Sequence, residues 1–208
     1  MTYSVVSYDP ERKEWGVAVA SRFLSVGSVV PWARAGRGAV ATQAFANYTY
    51  GPRALKLLGT MGAAETLRLL LSSDPDRERR QVALVDWKGD VAVHTGSQCM
   101  EYAGHMTGRN FSVQGNILAG ESVLKAMMEA MERQGPLEER LVSALEAAEA
   151  SGGDRRGRQS AALLIVSLTR EFEPGSSKFM DIRVEDSMEP VKELARLRDL
   201  WLDTFFRE

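Results

Sequence analysis

The sequence predicts an α+β fold in which two mostly antiparallel sheets pack together and helices cover the outer face of each sheet. Runs of β-branched residues occur in pairs separated by turn-forming residues, which is typical of antiparallel hairpins. Helical segments also occur in pairs between the sets of strands, and each amphipathic helix needs a sheet face against which to bury its apolar side. We therefore expect a single domain over residues 1–208.

The predicted elements alternate between sets of strands and pairs of helices. This order is inferred from apolar periodicity and from the residues that start and stop helices. We predict strands over 2–6, 17–22, 39–45, 81–86, 91–95, 111–114, 160–166 and 180–184, a short strand before 34, and helices over 52–58, 63–71, 123–131, 137–148 and from 190 onward.

Turn residues and proline set the boundaries in the first half of the chain. The polar segment from Asp9 to Glu14 joins the first two strands as a longer hairpin loop. Gly36 and Gly38 bracket the turn before the fourth strand. Pro52 suits the first turn of a helix, because the N–H that proline lacks would be unpaired there.

Apolar patterning defines the elements of the second half. Val123, Met127 and Met131 fall on one helical face, where methionine is an ordinary core residue. Pro136 follows a glycine and ends this helix. The run 160–166 is almost continuously apolar, so it should lie centrally in a sheet with both faces covered.

The composition is that of an ordinary globular protein, with 44% apolar residues, 26% charged residues and a net charge of −2. Charges of both signs are intermixed, so no basic field favours nucleic acid as a partner. No apolar run is long enough to cross a bilayer and the N-terminus lacks a secretory pattern, so we expect a cytoplasmic protein without a membrane partner. The expected exposed faces of the helix pairs are consistent with a homo-oligomer.

Few residues are available for disulfide or metal chemistry. Cys99 is the only cysteine, which excludes an intramolecular disulfide, and His94 and His105 are the only histidines. A zinc site would lack ligands, so we expect neither a structural metal nor a cofactor. His94 lies in an alternating strand and is interpreted as a structural residue, whereas His105 lies in a polar stretch predicted to be a loop.

Thr2 becomes the first residue if Met1 is removed, and cellular methionine removal tolerates a small second side chain. One residue then carries both a hydroxyl nucleophile and a free α-amine. The reference pKa of an α-amine is about 7.7–8.0, so a good fraction of the amine is neutral and can accept the hydroxyl proton. The alternative interpretation is that Thr2 is simply the first residue of an edge strand.

Polar residues cluster where the predicted strands end. Strand-to-helix turns present free backbone N–H groups, which suit an oxyanion or an anionic ligand. Turn formation and helix capping are the alternative explanation for Asn47 and Asn116. The clustered residues are Ser21, Arg22, Thr42, Gln43, Asn47, Gln114 and Asn116.

The arginine-rich segment 154–160 also has two interpretations. In one, Asp154 pairs with the neighbouring arginines in a solvated loop. In the other, Arg158 binds an anionic group, because a guanidinium at the entry to a buried strand is costly unless it has a partner.

Long motifs occur in the segments 2–6, 16–24, 30–36, 41–47, 50–53, 113–120 and 152–163. These motifs resemble the DUF1028 family, which is placed in the N-terminal nucleophile (Ntn) hydrolase-like superfamily alongside proteasome β subunits. The resemblance covers nearly the entire sequence. It implies a four-layer αββα sandwich, in agreement with the layers predicted above.

The superfamily pattern implies an amidohydrolase that cleaves an amide or peptide bond of a small substrate. Thr2 would be nucleophile and base, with Gln43, Ala44 and Asn116 around the oxyanion. The candidate substrate-binding residues are Ser21, Arg22, Arg34, Thr42, Asn47 and Arg158.

Two departures from that pattern support a second hypothesis. Ser21 stands where the superfamily has an acidic residue, and Arg34 is the cation nearest to the expected lysine position on the third strand. The alternative is therefore a catalytically silent ligand-binding or assembly protein that keeps the fold.

Overall fold

Ten β-strands and five α-helices make up residues 2–206, the part of the chain that the computed structural model describes. The strands are β1 (Thr2–Asp9), β2 (Glu14–Ser21), β3 (Pro31–Arg34), β4 (Gly38–Ala44), β5 (Arg80–Asp86), β6 (Val91–Thr95), β7 (Gly104–Gly108), β8 (Phe111–Asn116), β9 (Ser160–Ser167) and β10 (Lys178–Val184). The helices are α1 (Tyr50–Leu57), α2 (Ala63–Ser72), α3 (Glu121–Met131), α4 (Leu137–Ala150) and α5 (Pro190–Phe205). Met1 lies outside the described residues, so its removal stays a prediction.

The strands form two sheets, and the pairings within both are antiparallel. The larger sheet has six strands in the order β10-β9-β2-β1-β8-β7, and the smaller has four in the order β3-β4-β5-β6. β9 lies between β10 and β2 and is buried along its whole length. The prediction that residues 160–166 form a central strand with both faces covered is therefore confirmed.

Helices cover the outer face of each sheet. α3, α4 and α5 pack on the larger sheet, where Leu141 and Leu163 belong to one buried cluster. α1 and α2 pack on the smaller sheet, where Leu70 and Val82 belong to another, and a third cluster that includes Val19 lies between the sheets. This arrangement is the four-layer αββα sandwich that the sequence predicted.

None of the helices in the described part of the chain combines the length and the apolar character that a membrane crossing requires.

The strand β7 is absent from the sequence prediction. Its short sequence is bounded by glycines and lacks a run of β-branched residues, so local propensity does not indicate a strand. Pairing with β8 nevertheless makes it the edge of the larger sheet, with His105 opposite Gln114. The prediction that His105 lies in a loop is wrong, because hairpin pairing with the adjacent β8 outweighs the low strand propensity of this segment.

The space between the sheets is apolar at one end and polar at the other. Alternate residues of a strand face the same side, so Thr2, Ser4 and Val6 of β1 all face the smaller sheet. Val6 belongs to the apolar cluster between the sheets, whereas Ser4 donates a hydrogen bond to Gln43 across the gap. The first residues of β1 therefore lie at the polar end.

Candidate active site

The start of β1 and the ends of β2, β4 and β8 meet at this polar end. In the larger sheet Thr2 lies opposite Asn116, and its neighbour Tyr3 lies opposite Ala20 of β2. Gln43, the last residue but one of β4, faces them from the smaller sheet. The structure thus brings together residues that are far apart in the sequence and that the sequence proposed as catalytic.

The hydroxyl of Thr2 lies beside that of Ser21 in the buried layer. Thr2 is 6% exposed, and its Oγ1 is 3.1 Å from Ser21 Oγ, with either hydroxyl able to donate. Gln43 Nε2 donates to the carbonyl oxygen of Thr2 over a long distance of 3.5 Å. Ser21 therefore contacts the candidate nucleophile directly.

Gln81 of β5 connects the two sheets, and the sequence analysis missed it. Its side chain is fully buried, and its Oε1 accepts from Gln43 Nε2 at 2.8 Å and from Asn116 Nδ2 at 3.0 Å. Its Nε2 donates to the carbonyl oxygens of Gly115 at 2.9 Å and Gly104 at 3.0 Å. One amide therefore orients both of the amide side chains proposed for the oxyanion.

The sequence does contain a signal for Gln81. It shares a face of β5 with Ala83 and Val85, which belong to the apolar cluster between the sheets. An amide on such a face costs free energy unless it is hydrogen-bonded, so a glutamine at this position indicates buried polar partners.

The side chain of Gln43 is also hydrogen-bonded to Ser4, which in turn contacts Gln114. Ser4 Oγ donates to Gln43 Oε1 at 2.7 Å and accepts from Gln114 Nε2 at 2.7 Å. Ser112 Oγ donates to Gln114 Oε1 at 2.6 Å. With Gln81 and the Thr2 carbonyl as acceptors of its two N–H groups, Gln43 acts as a structural link between the sheets.

Asn116 keeps a donor for a ligand. Its Nδ2 carries two N–H groups, of which one donates to Gln81 Oε1 at 3.0 Å, and no other side chain or carbonyl in residues 2–206 accepts from it. Of the two amide side chains proposed to surround an oxyanion, Asn116 is therefore the one that can donate to it.

The backbone is strained just after Gln43 and just after Asn116. Ala44 has a φ of 65° and Ile117 a φ of 53°. Such values are uncommon outside glycine and are outliers for a β-branched residue. Conformations of this kind persist where their surroundings hold them, and they cluster at functional sites. Ala44 therefore lies next to Gln43 at a turn that directs the chain away from the strand, and its place at an oxyanion stays a prediction.

His105 extends the network towards the edge of the larger sheet. Its Nδ1 lies 2.9 Å from Thr95 Oγ1, which accepts from Gln81 Nε2 at 2.9 Å. Partial desolvation, with a smaller effect from the nearby His94, lowers the pKa of His105, which is exposed at this edge. His94 itself makes a 2.9 Å hydrogen bond to the carbonyl of Arg77, as a structural residue would.

Thr42 and Asn47 lie on the other face of the smaller sheet. Thr42 shares its face with Val40, which packs under α1 and α2, and its Oγ1 donates to the carbonyl of Asn47 at 3.3 Å. Asn47 Oδ1 accepts from the backbone N–H of Thr49 at 3.1 Å, the hydrogen bond of a local turn. The structure does not bring either residue to Thr2, and turn formation explains Asn47.

A buried cluster around Asp74 holds the segment just beyond β4. Arg80 Nε donates to Asp74 Oδ2 at 2.9 Å, and the Tyr50 hydroxyl donates to the same oxygen at 2.8 Å. Arg80 Nη1 also donates to the carbonyl of Phe45. Burial raises the pKa of the Asp74 carboxyl, but the hydrogen bonds it accepts, first from Arg80, outweigh burial and hold that pKa well below its usual range.

Arg34 lies at the opposite end of the smaller sheet. It pairs with Gly38, the first residue of β4, whereas Ala44 is the last residue of that strand. At about 3.3 Å per residue, this separation along the strand is about 20 Å. Arg34 is therefore remote from Thr2, which corrects the expectation that it supplies a positive charge to the site.

Arg22 and Arg158 lie outside the inter-sheet layer and line a common cavity. Asp154 Oδ2 accepts from the backbone N–H of Arg22 at 2.9 Å, and Asp154 Oδ1 accepts from that of Arg156 at 2.7 Å. Arg156 Nη2 also lies 3.4 Å from Asp154 Oδ2, so Asp154 pairs with a neighbouring arginine, as one interpretation of this segment expected. Arg158 Nε lies 3.3 Å from Glu149 Oε2.

The family model described as "Family of unknown function (DUF1028)" matches residues 2–194. The chain belongs to the DUF1028 family. Among solved structures, this DUF1028 protein is similar to protein SPO2555 from Silicibacter pomeroyi, with 30% sequence identity and a TM-score of 0.87 over 97% of this chain and 89% of that one. It is also similar to Anbu (ancestral beta-subunit) from Yersinia bercovieri, with 13% identity and a TM-score of 0.41 over 98% and 96% of the two chains. No curated protein matches it significantly.

The likeness to SPO2555 supports the fold of this DUF1028 protein over nearly its whole length. Within residues 2–206, no group of three or more His, Cys, Asp or Glu side chains is arranged to hold a metal ion.

Replacing Gln81 by leucine tests its function as the link between the sheets. Gln81→Leu leaves amide donors of Gln43 and Asn116 unpaired in a buried layer, so the free energy of unfolding should fall by about 3 kcal/mol or more. Urea denaturation measures this change. The exposed Gln134→Leu is the control and should stay within about 0.5 kcal/mol of the wild type. Equal effects of the two substitutions would contradict the assignment.

Asp74→Asn tests the cluster beyond β4. Because the folded-state pKa of Asp74 lies below its unfolded value of about 3.9, the carboxylate contributes its stability fully above that pH and loses it as the pH falls through the folded-state pKa. We expect the variant to lose about 2 kcal/mol at pH 7, and the difference from the wild type to shrink below about pH 4.

Urea denaturation at pH 7, 5 and 3 measures both effects. Asp90→Asn, at an exposed position, is the matched control and should show neither. A difference between Asp74→Asn and wild type that is independent of pH would show that the carboxylate charge does not hold this segment.

Proposed function

We propose that this DUF1028 protein is an N-terminal nucleophile amidohydrolase in which Thr2 attacks an amide or peptide bond after Met1 is removed. One observation carries the proposal: the Thr2 hydroxyl lies at the first residue of β1, in the layer between the sheets and 3.1 Å from Ser21 Oγ. Once Met1 is removed, Thr2 would carry both this hydroxyl and a free α-amine.

In the proposed reaction, Thr2 is both the base and the nucleophile. Its α-amine takes the proton of its own hydroxyl, directly or through a water, and Oγ1 attacks the carbonyl carbon of the substrate. The tetrahedral intermediate collapses as the ammonium returns the proton to the leaving nitrogen, which releases an amine and leaves an ester on Oγ1. Water, deprotonated by the same amine, adds to the ester, and its hydrolysis restores the Thr2 hydroxyl and releases a carboxylic acid.

Neutral groups would support the charge that develops in this reaction. Ser21 can donate a hydrogen bond to Thr2 Oγ1 as the proton leaves, although a neutral donor stabilises an anion less than a charged one does. Asn116 can donate its remaining N–H to the oxyanion, and its bond to Gln81 fixes the amide before substrate binds.

A second candidate function is a catalytically silent ligand-binding or assembly protein. It is favoured by the low exposure of Thr2, at 6%, and by the complete occupation of the Gln43 amide by protein groups. Both features suit a polar layer that only joins the sheets. The state of the N-terminus and the effect of removing the Thr2 hydroxyl separate the two candidates.

The hydrolase proposal predicts that protein from its native host lacks Met1 by intact mass spectrometry. Protein prepared with Thr2 as its first residue should hydrolyse at least one member of a panel of N-acyl aminocoumarin amides. Thr2→Ala should abolish that turnover because no hydroxyl remains, while Thr2→Ser should retain part of it. A β-lactone should label the Thr2 protein and leave Thr2→Ala unlabelled.

Thr60→Ala, at an exposed threonine, is the matched control and should keep full turnover and labelling. Full retention of Met1 in the native host, or equal labelling of wild type and Thr2→Ala, would reject the hydrolase in favour of the silent protein.

A further inference from the structure

We infer that the cavity lined by Arg22 and Arg158 binds the carboxylate of an organic acid, and that the amide substrate of this protein therefore carries a free carboxylate. The carboxylate site stands on the geometry of the cavity. Only the identification of its occupant as the hydrolase substrate rests on the proposed function.

Three chain segments form the cavity: the residue after β2, the residues before β9 and the residues before α5. Its volume is about 560 Å³, within the usual range of small-molecule pockets, about 300–1,000 Å³. Its lining includes Arg22, Gly157, Arg158, Gln159, Asp186 and Met188.

Arg22 presents an open edge to this cavity. Its Nη1 donates to the carbonyl of Arg156 at 2.7 Å, which holds the guanidinium in place. Among residues 2–206, no group accepts from Nε or Nη2 of Arg22. These two donors form the edge of the guanidinium fork that matches the two oxygens of a carboxylate.

Gly157 makes room for this arrangement. Its φ is +106°, a conformation that residues with a side chain rarely adopt. A Cβ at this position would lie 3.2 Å from Arg22 Nη1, tighter than nearly all such contacts. Glycine here therefore permits both the turn and the close approach of the guanidinium to the backbone.

The balance of charges in the cavity favours an anion. Arg158 is shared with Glu149, but 47% of its side chain stays exposed. The cavity's acidic residue, Asp186, has Oδ1 engaged by Gln159 Nε2 at 3.1 Å. Met188, 86% exposed, adds an apolar wall, which suits an organic acid better than an inorganic anion.

Arg22 also connects the cavity to the candidate nucleophile through the chain. It directly follows Ser21, whose Oγ is 3.1 Å from Thr2 Oγ1. A substrate whose carboxylate lies on Arg22 and whose amide reaches Thr2 would belong to the class of N-acyl amino acids or short peptides with a free C-terminus.

Binding to Thr2→Ala tests the site without turnover. The probes are N-acetyl-L-leucine and its carboxamide, which have the same shape and differ in charge, and the measurement is isothermal titration calorimetry. The carboxylate probe should bind about tenfold or more tightly than the carboxamide. Adding Arg22→Gln should remove this difference, whereas adding the exposed Arg68→Gln on α2 should preserve it.

Equal binding of the two probes, no binding of either at about 10 mM, or the same loss in Arg68→Gln would overturn the carboxylate site. Complete competition by an equal concentration of inorganic phosphate would also overturn it, because any anion would then suffice. Selective binding of N-acetyl-L-leucine without any amide turnover by the Thr2 protein would support the site while removing the hydrolase.

Discussion

The hydrogen bonds of Gln81 are the interaction on which the rest of the candidate site depends. A fully buried amide must find partners, and those of Gln81 lie on both sheets: Gln43 on the smaller, Asn116 and Gly115 on the larger. Apolar packing sets the distance between the sheets at one end of the sandwich. At the other end, the hydrogen bonds of the Gln81 amide set this distance. They also fix the orientation of Asn116.

The placement of charge follows from the cost of burial. The buried side chains that form these hydrogen bonds at the polar end are serine, threonine, glutamine and asparagine, all neutral. A charge in this layer would need a close partner to offset its desolvation, whereas Arg22 and Arg158 lie at the rim, where water solvates them. The fold therefore holds the candidate nucleophile among neutral donors and leaves positive charge for a ligand outside.

Much of the fold could be predicted because the local periodicity of apolar residues indicates most of its strands and helices. Alternating and continuous apolar runs located nine of the ten strands, and 160–166 also revealed its central position. β7 could not be found this way, since its residues lack the alternating or continuous apolar pattern of the other strands, although it forms a tight hairpin with β8. Local patterns also placed Thr2 and Asn116 at strand ends, but they did not show which groups Gln81 contacts. They also did not show that Arg34 of β3 pairs with the end of β4 opposite to Ala44.

The α-amine of Thr2 is the one base that the geometry offers to its hydroxyl. Within residues 2–206, the hydroxyl's hydrogen-bond partner is Ser21, and no imidazole, carboxylate or lysine contacts it. An attached Met1 would convert that amine into an amide, which cannot accept a proton at neutral pH. The supporting donors would keep their positions, since Gln81 and Asn116 are held by bonds that do not involve the N-terminus. The proposed hydrolase activity therefore depends on the removal of Met1.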